Sequence, residues 1–184
     1  MKKKGFTVRQ IAFDAMLAAM FFALSFASLR LGGQKISISG LPVLMGALLF
    51  GPLHGFLIGF VGSFLEQMVT FGLTATTVLW CLPVAIRGLL VGIYAKWRKF
   101  DLGRVELIVL TAVTALVLTA LNTAVVYIDA IIYGYYSYAY VFGALVSRIV
   151  VGILTGVVFA LILPPLLKPL KKVIEKLDKA AGYW

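Results

Sequence analysis

The sequence predicts an all-α integral membrane protein with six transmembrane helices and both termini cytoplasmic. Two observations carry this reading. Of 184 residues, 62% are hydrophobic and 13% charged, where a soluble domain is about half apolar and about a quarter charged. The 17 basic residues lie almost entirely between the apolar stretches, as expected when Lys and Arg collect on the cytoplasmic side. The chain reads as a single transmembrane domain, 1–184, with a basic N-terminal segment, 1–10, and a basic cytoplasmic tail, 166–184.

A helix needs about 20 apolar residues to cross a bilayer. The first span is predicted over 11–29. Its basic start is followed by no small-residue cleavage site, so a removable signal peptide is not expected. A polar loop over 30–40 follows, with the alternating run Lys35-Ile36-Ser37-Ile38-Ser39, a short strand or a lid. The second span, 41–50, is short and is broken by Gly51-Pro52. The third covers 53–71 and carries Gly55, Gly59 and Gly62 as a thin face. The Thr-rich loop 72–77 leads to the fourth span, 78–95, with Pro83 as an expected kink. After a charged loop, the fifth runs over 105–128. A Tyr-rich loop over 129–140 precedes the sixth, 141–163, which Pro164-Pro165 is expected to stop. Beyond it, 166–177 alternates apolar residues with lysines and is expected to lie on the membrane surface.

Orientation follows from the basic residues. Lys2, Lys3, Lys4 and Arg9 precede the first span. Lys96, Arg98, Lys99 and Arg104 join the fourth to the fifth. Lys168, Lys171, Lys172, Lys176 and Lys179 follow the sixth. With six spans all three groups share one side, which is then cytoplasmic. Only Arg30 and Lys35 fall opposite. The same distribution excludes nucleic acid as the partner of the +10 net charge. One cysteine, Cys81, excludes an internal disulfide and any multi-cysteine metal site. No phosphate-cradling loop is present for ATP hydrolysis, and no His/Cys/Asp cluster for a metal. Ser63 has no histidine near it to make a nucleophile. No catalytic residue, metal or cofactor is expected.

Three charged residues break the apolar pattern: Glu66, Arg87 and Arg148. An arginine in a span costs about 2.5–3.5 kcal/mol on insertion scales, so each must be paired, hydrated or bound. Glu66 lies roughly 7.5 Å inside the outer end of its helix. Arg87 and Arg148 fall near mid-span, and Asn122 in the outer third. Trp80, Thr76, Tyr127 and Tyr136 gather towards the same outer side. One acid cannot neutralise two arginines, and the surplus points to an anionic ligand gripped by a guanidinium. The alternative is that Glu66 is a structural strut to one arginine, the other being hydrated. His54 and Asp14 read as packing or interfacial residues. In the first span Ala15, Ala19 and Ala23 repeat every fourth position, so they stack on one face. Such a stripe lets another helix approach closely, within this bundle or from another protein.

These features together resemble the substrate-binding S components of energy-coupling factor (ECF) vitamin transporters. The alanine stripe looks like the family's signature for docking the transmembrane T component, and Ser39-Gly40-Leu41-Pro42 followed by Gly46 to Pro52 with Gly55 and Gly59 is similar to the folate- and pantothenate-type branch. The resemblance implies a prokaryotic cell-membrane protein that captures a small water-soluble vitamin, anionic and pantothenate- or folate-like, on the outside. It implies docking through Ala15, Ala19 and Ala23 on a transmembrane T component that works with two cytoplasmic ATPases. Glu66, Arg87, Arg148, Asn122, Trp80, Thr76, Tyr127 and Tyr136 would bind the vitamin. Gly33, Gln34, Lys35, Ser37 and Ser39 would gate the pocket. Two other readings remain: a stand-alone carrier or membrane enzyme, and an assembly subunit with no ligand.

Overall fold

The computed structural model describes residues 7–27, 29–31, 34–143 and 145–180. Helix α1 (Val8–Phe26) is followed by the strands β1 (Leu29–Leu31) and β2 (Gln34–Ile36). Then come α2 (Gly40–Phe50), α3 (Pro52–Phe71), α4 (Thr77–Trp97), α5 (Arg104–Ile132), the short α6 (Tyr138–Phe142) and α7 (Leu145–Ala180). The fold is helical apart from one antiparallel hairpin, in which Leu29 faces Ile36 and Leu31 faces Gln34. That hairpin occupies the loop predicted as a short strand or a lid. Five helical stretches are long and apolar enough to cross a membrane, and α2 is a sixth, shorter apolar helix.

The ends of the elements follow from local chemistry. Thr7 caps α1, its hydroxyl accepting from the Gln10 N–H at 3.3 Å while the Gln10 side chain accepts from the Thr7 N–H at 3.1 Å. Gly51 separates α2 from α3 at φ +105°, a conformation that strains any residue with a Cβ. Glu106 starts α5 by accepting from the Gly103 N–H at 3.0 Å. It also pairs with Arg98 at 2.5 Å across the α4–α5 turn.

The brevity of α2 has a physical reason. Eleven residues rise only about 16 Å, too little to span. Yet every residue from Leu41 to Leu48 is buried, as a helix apolar on all sides must be. It is the central rod of the bundle, and Leu44, Val43 and Ala47 join Leu17, Ile58, Val91 and Phe159 in the core.

One expectation is overturned at the sixth span. Pro164 and Pro165 do not stop it: α7 runs through both, and through Pro169, to Ala180. Each proline removes its own N–H bond and crowds the carbonyl four residues back, although its φ suits a helix. Neighbouring helices offset the loss, since Leu163 and Leu167 are buried on either side of the pair. The tail is thus packed as a continuation of α7, and Lys171 Nζ donates to the Phe100 carbonyl at 2.8 Å.

The structure revises Asp14, expected at the interface, and makes His54 a packing residue. They are buried, at 8% and 7% exposure, and tie α1 to α3 with Nδ1 of His54 2.6 Å from Asp14 Oδ2. Asp14 Oδ1 has no hydrogen-bond partner. His54→Ala is expected to strip the Nδ1 bond from Asp14 Oδ2 and cost about 1.5–3 kcal/mol. Thermal unfolding in detergent checks this, with Asp14→Asn losing less because the amide is uncharged.

Candidate functional site: a polar cavity floored by Arg87

A cavity of about 530 Å³ opens at the end of the bundle formed by the C-termini of α1, α3 and α5 and the N-termini of α2, α4 and α7. That is within the range of small-molecule sites, about 300–1,000 Å³. Four helices each give it one stripe. Ser63, Glu66 and Gln67 come from α3, and Trp80, Val84 and Arg87 from α4. Arg148, Val151, Gly152, Thr155 and Phe159 come from α7. These spacings of three and four residues are what one helical face allows. In α5 the face comprises Ala115, Leu118, Thr119, Asn122 and Val126.

Arg87 dominates the site. It is 5% exposed, and its Nε and Nη2 have no hydrogen-bond partner among the described residues. Its guanidinium carbon lies 5.4 Å from the centroid of the Phe159 ring, a cation–π contact that holds the group without satisfying its donors. Gly40 makes room above them: a Cβ there would lie 2.8 Å from the Phe159 ring and 3.4 Å from Arg87 Nη1. Arg148 is half-buried, its Nη1 3.4 Å from the Val141 carbonyl. Neither arginine forms a salt bridge with a described residue.

The buried threonines of α5 dispose of their hydroxyls locally. Thr111, Thr114, Thr119 and Thr123 each donate to the carbonyl four residues back, at 2.7–2.9 Å.

Of the residues expected to bind a ligand, Glu66, Arg87, Arg148, Asn122 and Trp80 line the cavity. Thr76, Tyr127 and Tyr136 do not. Thr76 is buried and donates to Asp129 Oδ1 at 2.5 Å. Tyr127 and Tyr136 are exposed and stand edge to face, 5.4 Å apart. Tyr127 follows Asn122 by five positions, which turns it well away from the cavity face at 3.6 residues per turn. Tyr140 is the tyrosine in the wall. Of the expected gate, Ser37 and Ser39 line the cavity, their hydroxyls 2.8 Å apart. Gln34 and Lys35 are described only as backbone of β2, and Gly33 lies outside the described residues.

Phe21, Ser63, Gln67, Phe159 and Asp129 were missed. Asp129 is 7% exposed and accepts from Thr76, from Trp80 Nε1 at 3.2 Å and from the Tyr135 hydroxyl. That last bond raises the Tyr135 phenol above its ordinary range, so it stays a donor. The signal was available: Thr119, Asn122, Val126 and Asp129 are spaced by three, four and three.

The alanine stripe has a definite direction. Leu17, Ala18 and Phe21 turn α1 into the bundle. Ala15, Ala19 and Ala23 are exposed on its far side, beside Met16 and Met20. Among the described residues, the stripe is therefore not covered by another helix.

This bundle of apolar helices has the fold of solved S components of ECF transporters. A solved S component of a bacterial ECF transporter superposes with a TM-score of 0.65 at 25% identity, over 89% of this chain and 98% of that one. FolT bound with folic acid matches the fold with a TM-score of 0.61 at 17% identity, over 89% and 98%. The chain belongs to the ECF-type riboflavin transporter S-component family, which it matches over residues 5–172. The family is one of transporter S components, and five helical stretches of this chain are long and apolar enough to cross a membrane. The family matched is the riboflavin one, and the likeness to FolT is one of fold. Curated relatives include UPF0397 proteins of Clostridium perfringens, 35% identical over 106 residues and 56% of each chain. One from Leuconostoc citreum is 32% identical over 107 residues and 55% of each. The chain spans about half the length of these curated relatives.

Proposed function

We propose that this chain is the high-affinity substrate-binding subunit of an ECF-type importer. It takes a small water-soluble vitamin from outside the cell into the Arg87 cavity. It then docks on a T component with two ATPases, both termini lying in the cytoplasm. One observation carries the reading: a buried guanidinium in the cavity wall, with no ion-pair partner among the described residues and two buried nitrogens that no described group accepts from. Leaving buried charged donors unmet is costly, and a carboxylate or a pair of carbonyl oxygens would meet them. Riboflavin, named by the family, offers carbonyls; pantothenate and folate offer carboxylates. The cavity wall supplies Glu66, Asn122 and Arg148 for polar groups and Trp80 for stacking. A ligand-free assembly subunit predicts a filled end, and the cavity argues against it.

The test is calorimetric titration of the purified chain with riboflavin, pantothenate and folate, with mass spectrometry of any compound that co-purifies. Submicromolar binding of one is expected; no binding and no co-purified compound would overturn the proposal. The exposed alanine stripe supports the docking half. Ala19→Trp is expected to abolish co-purification with the T component while ligand binding persists, because a flat small-residue face is what close helix approach requires. Normal assembly by this variant would exclude α1 as the docking face.

A further inference from the structure

Asp129 is the least expected buried group in the chain. It sits in the last turn of α5, where the helix dipole disfavours negative charge. No basic residue pairs with it among the described residues. What holds it is three neutral donors on two separate segments. Thr76 and Trp80 come from the start of α4, and Tyr135 from the turn before α6. Both segments reach the cavity. Trp80 lines it directly, and Tyr135 packs edge to face, 5.4 Å from Tyr140, which also lines it.

We infer that Asp129 is a positioning residue for the ligand, fixing Trp80 and, through Tyr135, Tyr140 as the aromatic rim of the cavity. Its carboxylate ties the entrance of α4 to the 133–137 turn. A bound molecule then leaves only when the two segments part. The inference rests on the reading of the cavity as the substrate site, but it makes a claim about the rim that holds with no ligand present. A carboxylate suits the task because its two oxygens accept from both sides at once. An asparagine keeps the shape but loses the charge and one acceptor.

The full chain in detergent, carrying Trp97→Phe and Trp184→Phe, leaves Trp80 as the sole reporter of its three tryptophans. Asp129→Asn in that background is expected to raise acrylamide quenching of Trp80 by about twofold. Hydrogen exchange of the 133–140 amides should quicken by about tenfold. With riboflavin as the probe, dissociation is expected to quicken by about tenfold with little change in association. Thr76→Val and Tyr135→Phe each remove one donor and leave the carboxylate. They are expected to shift the same readouts less, and they decide the matter if Asp129→Asn does not fold. Unchanged quenching and exchange in the variants would overturn the inference. Failure of the parent chain to bind riboflavin, pantothenate or folate would instead count against the proposed function, since the Trp80 and exchange readouts need no ligand.

Discussion

Arg87→Met is expected to abolish high-affinity binding while leaving the ligand-free protein as stable as the parent or more so. The two halves of this result have one cause. In the empty protein Nε and Nη2 of a guanidinium at 5% exposure face no acceptor, so the group is held at a cost. Methionine fills similar space against Phe159 without donors to satisfy, losing only the cation–π contact of about 0.5–2 kcal/mol. In the occupied protein the guanidinium meets the ligand, and truncating one member of a desolvated charged contact costs about 2–5 kcal/mol. At 1.4 kcal/mol per tenfold, affinity falls about 30-fold to a few thousandfold. Calorimetry gives the affinity, and thermal unfolding with and without ligand gives the stability. A structural strut would behave in reverse, with a lower midpoint for the empty protein and a ligand-induced shift that survives. Arg148→Met is expected to lose less, because Arg148 is half-buried and already has a carbonyl partner.

Arg87 was legible in the sequence because a charge among Leu, Val and Gly announces its own cost, and the same holds for Glu66 and Arg148. Helix limits were legible for a similar reason: the apolar run and its Gly or Pro boundary coincide at α2 and α3. Asp129 was not, because the boundary between α5 and the Tyr-rich segment was drawn at Ile128. One more residue of helix places Asp129 on the Asn122 face. Pro164-Pro165 misled because a pair of prolines reads as a stop, while burial of Leu163 and Leu167 is a tertiary fact. The direction of the alanine stripe was undetermined in principle. An alanine face suits a neighbour within the bundle or outside it, and only the packing of Leu17 and Phe21 chooses. The tyrosines divide for the same reason: abundance places them near one end, but the phase of the helix decides which one reaches the cavity.

Gly88→Leu is expected to prevent the chain from folding as a monodisperse protein. Gly88 and Gly92 in α4 meet Gly55 and Pro52 in α3 backbone to backbone. A Cβ at Gly55 would lie 2.6 Å from the Gly88 carbonyl oxygen, and one at Gly59 3.0 Å from that of Val84. At Gly88 itself a Cβ would collide with the Gly55 carbonyl and meet Val43 of the central helix at 2.8 Å. The collision involves the first side-chain atom, so no rotamer avoids it and the two helices must separate. Ordinary overpacking costs about 1–3 kcal/mol; here the yielding atoms are backbone, and the cost exceeds that range. The consequence reaches the ligand, since α4 carries Arg87 one residue before this contact and Trp80 two turns earlier. Apolar surface gives little drive to helix pairing in lipid, so close small-residue packing is a main source of attraction. Size-exclusion profile and thermal midpoint in detergent read the result, with Ala124→Leu on the exposed face of α5 as the control that should change neither. A monodisperse Gly88→Leu protein with a normal midpoint would mean that the α3–α4 crossing is not held at this distance.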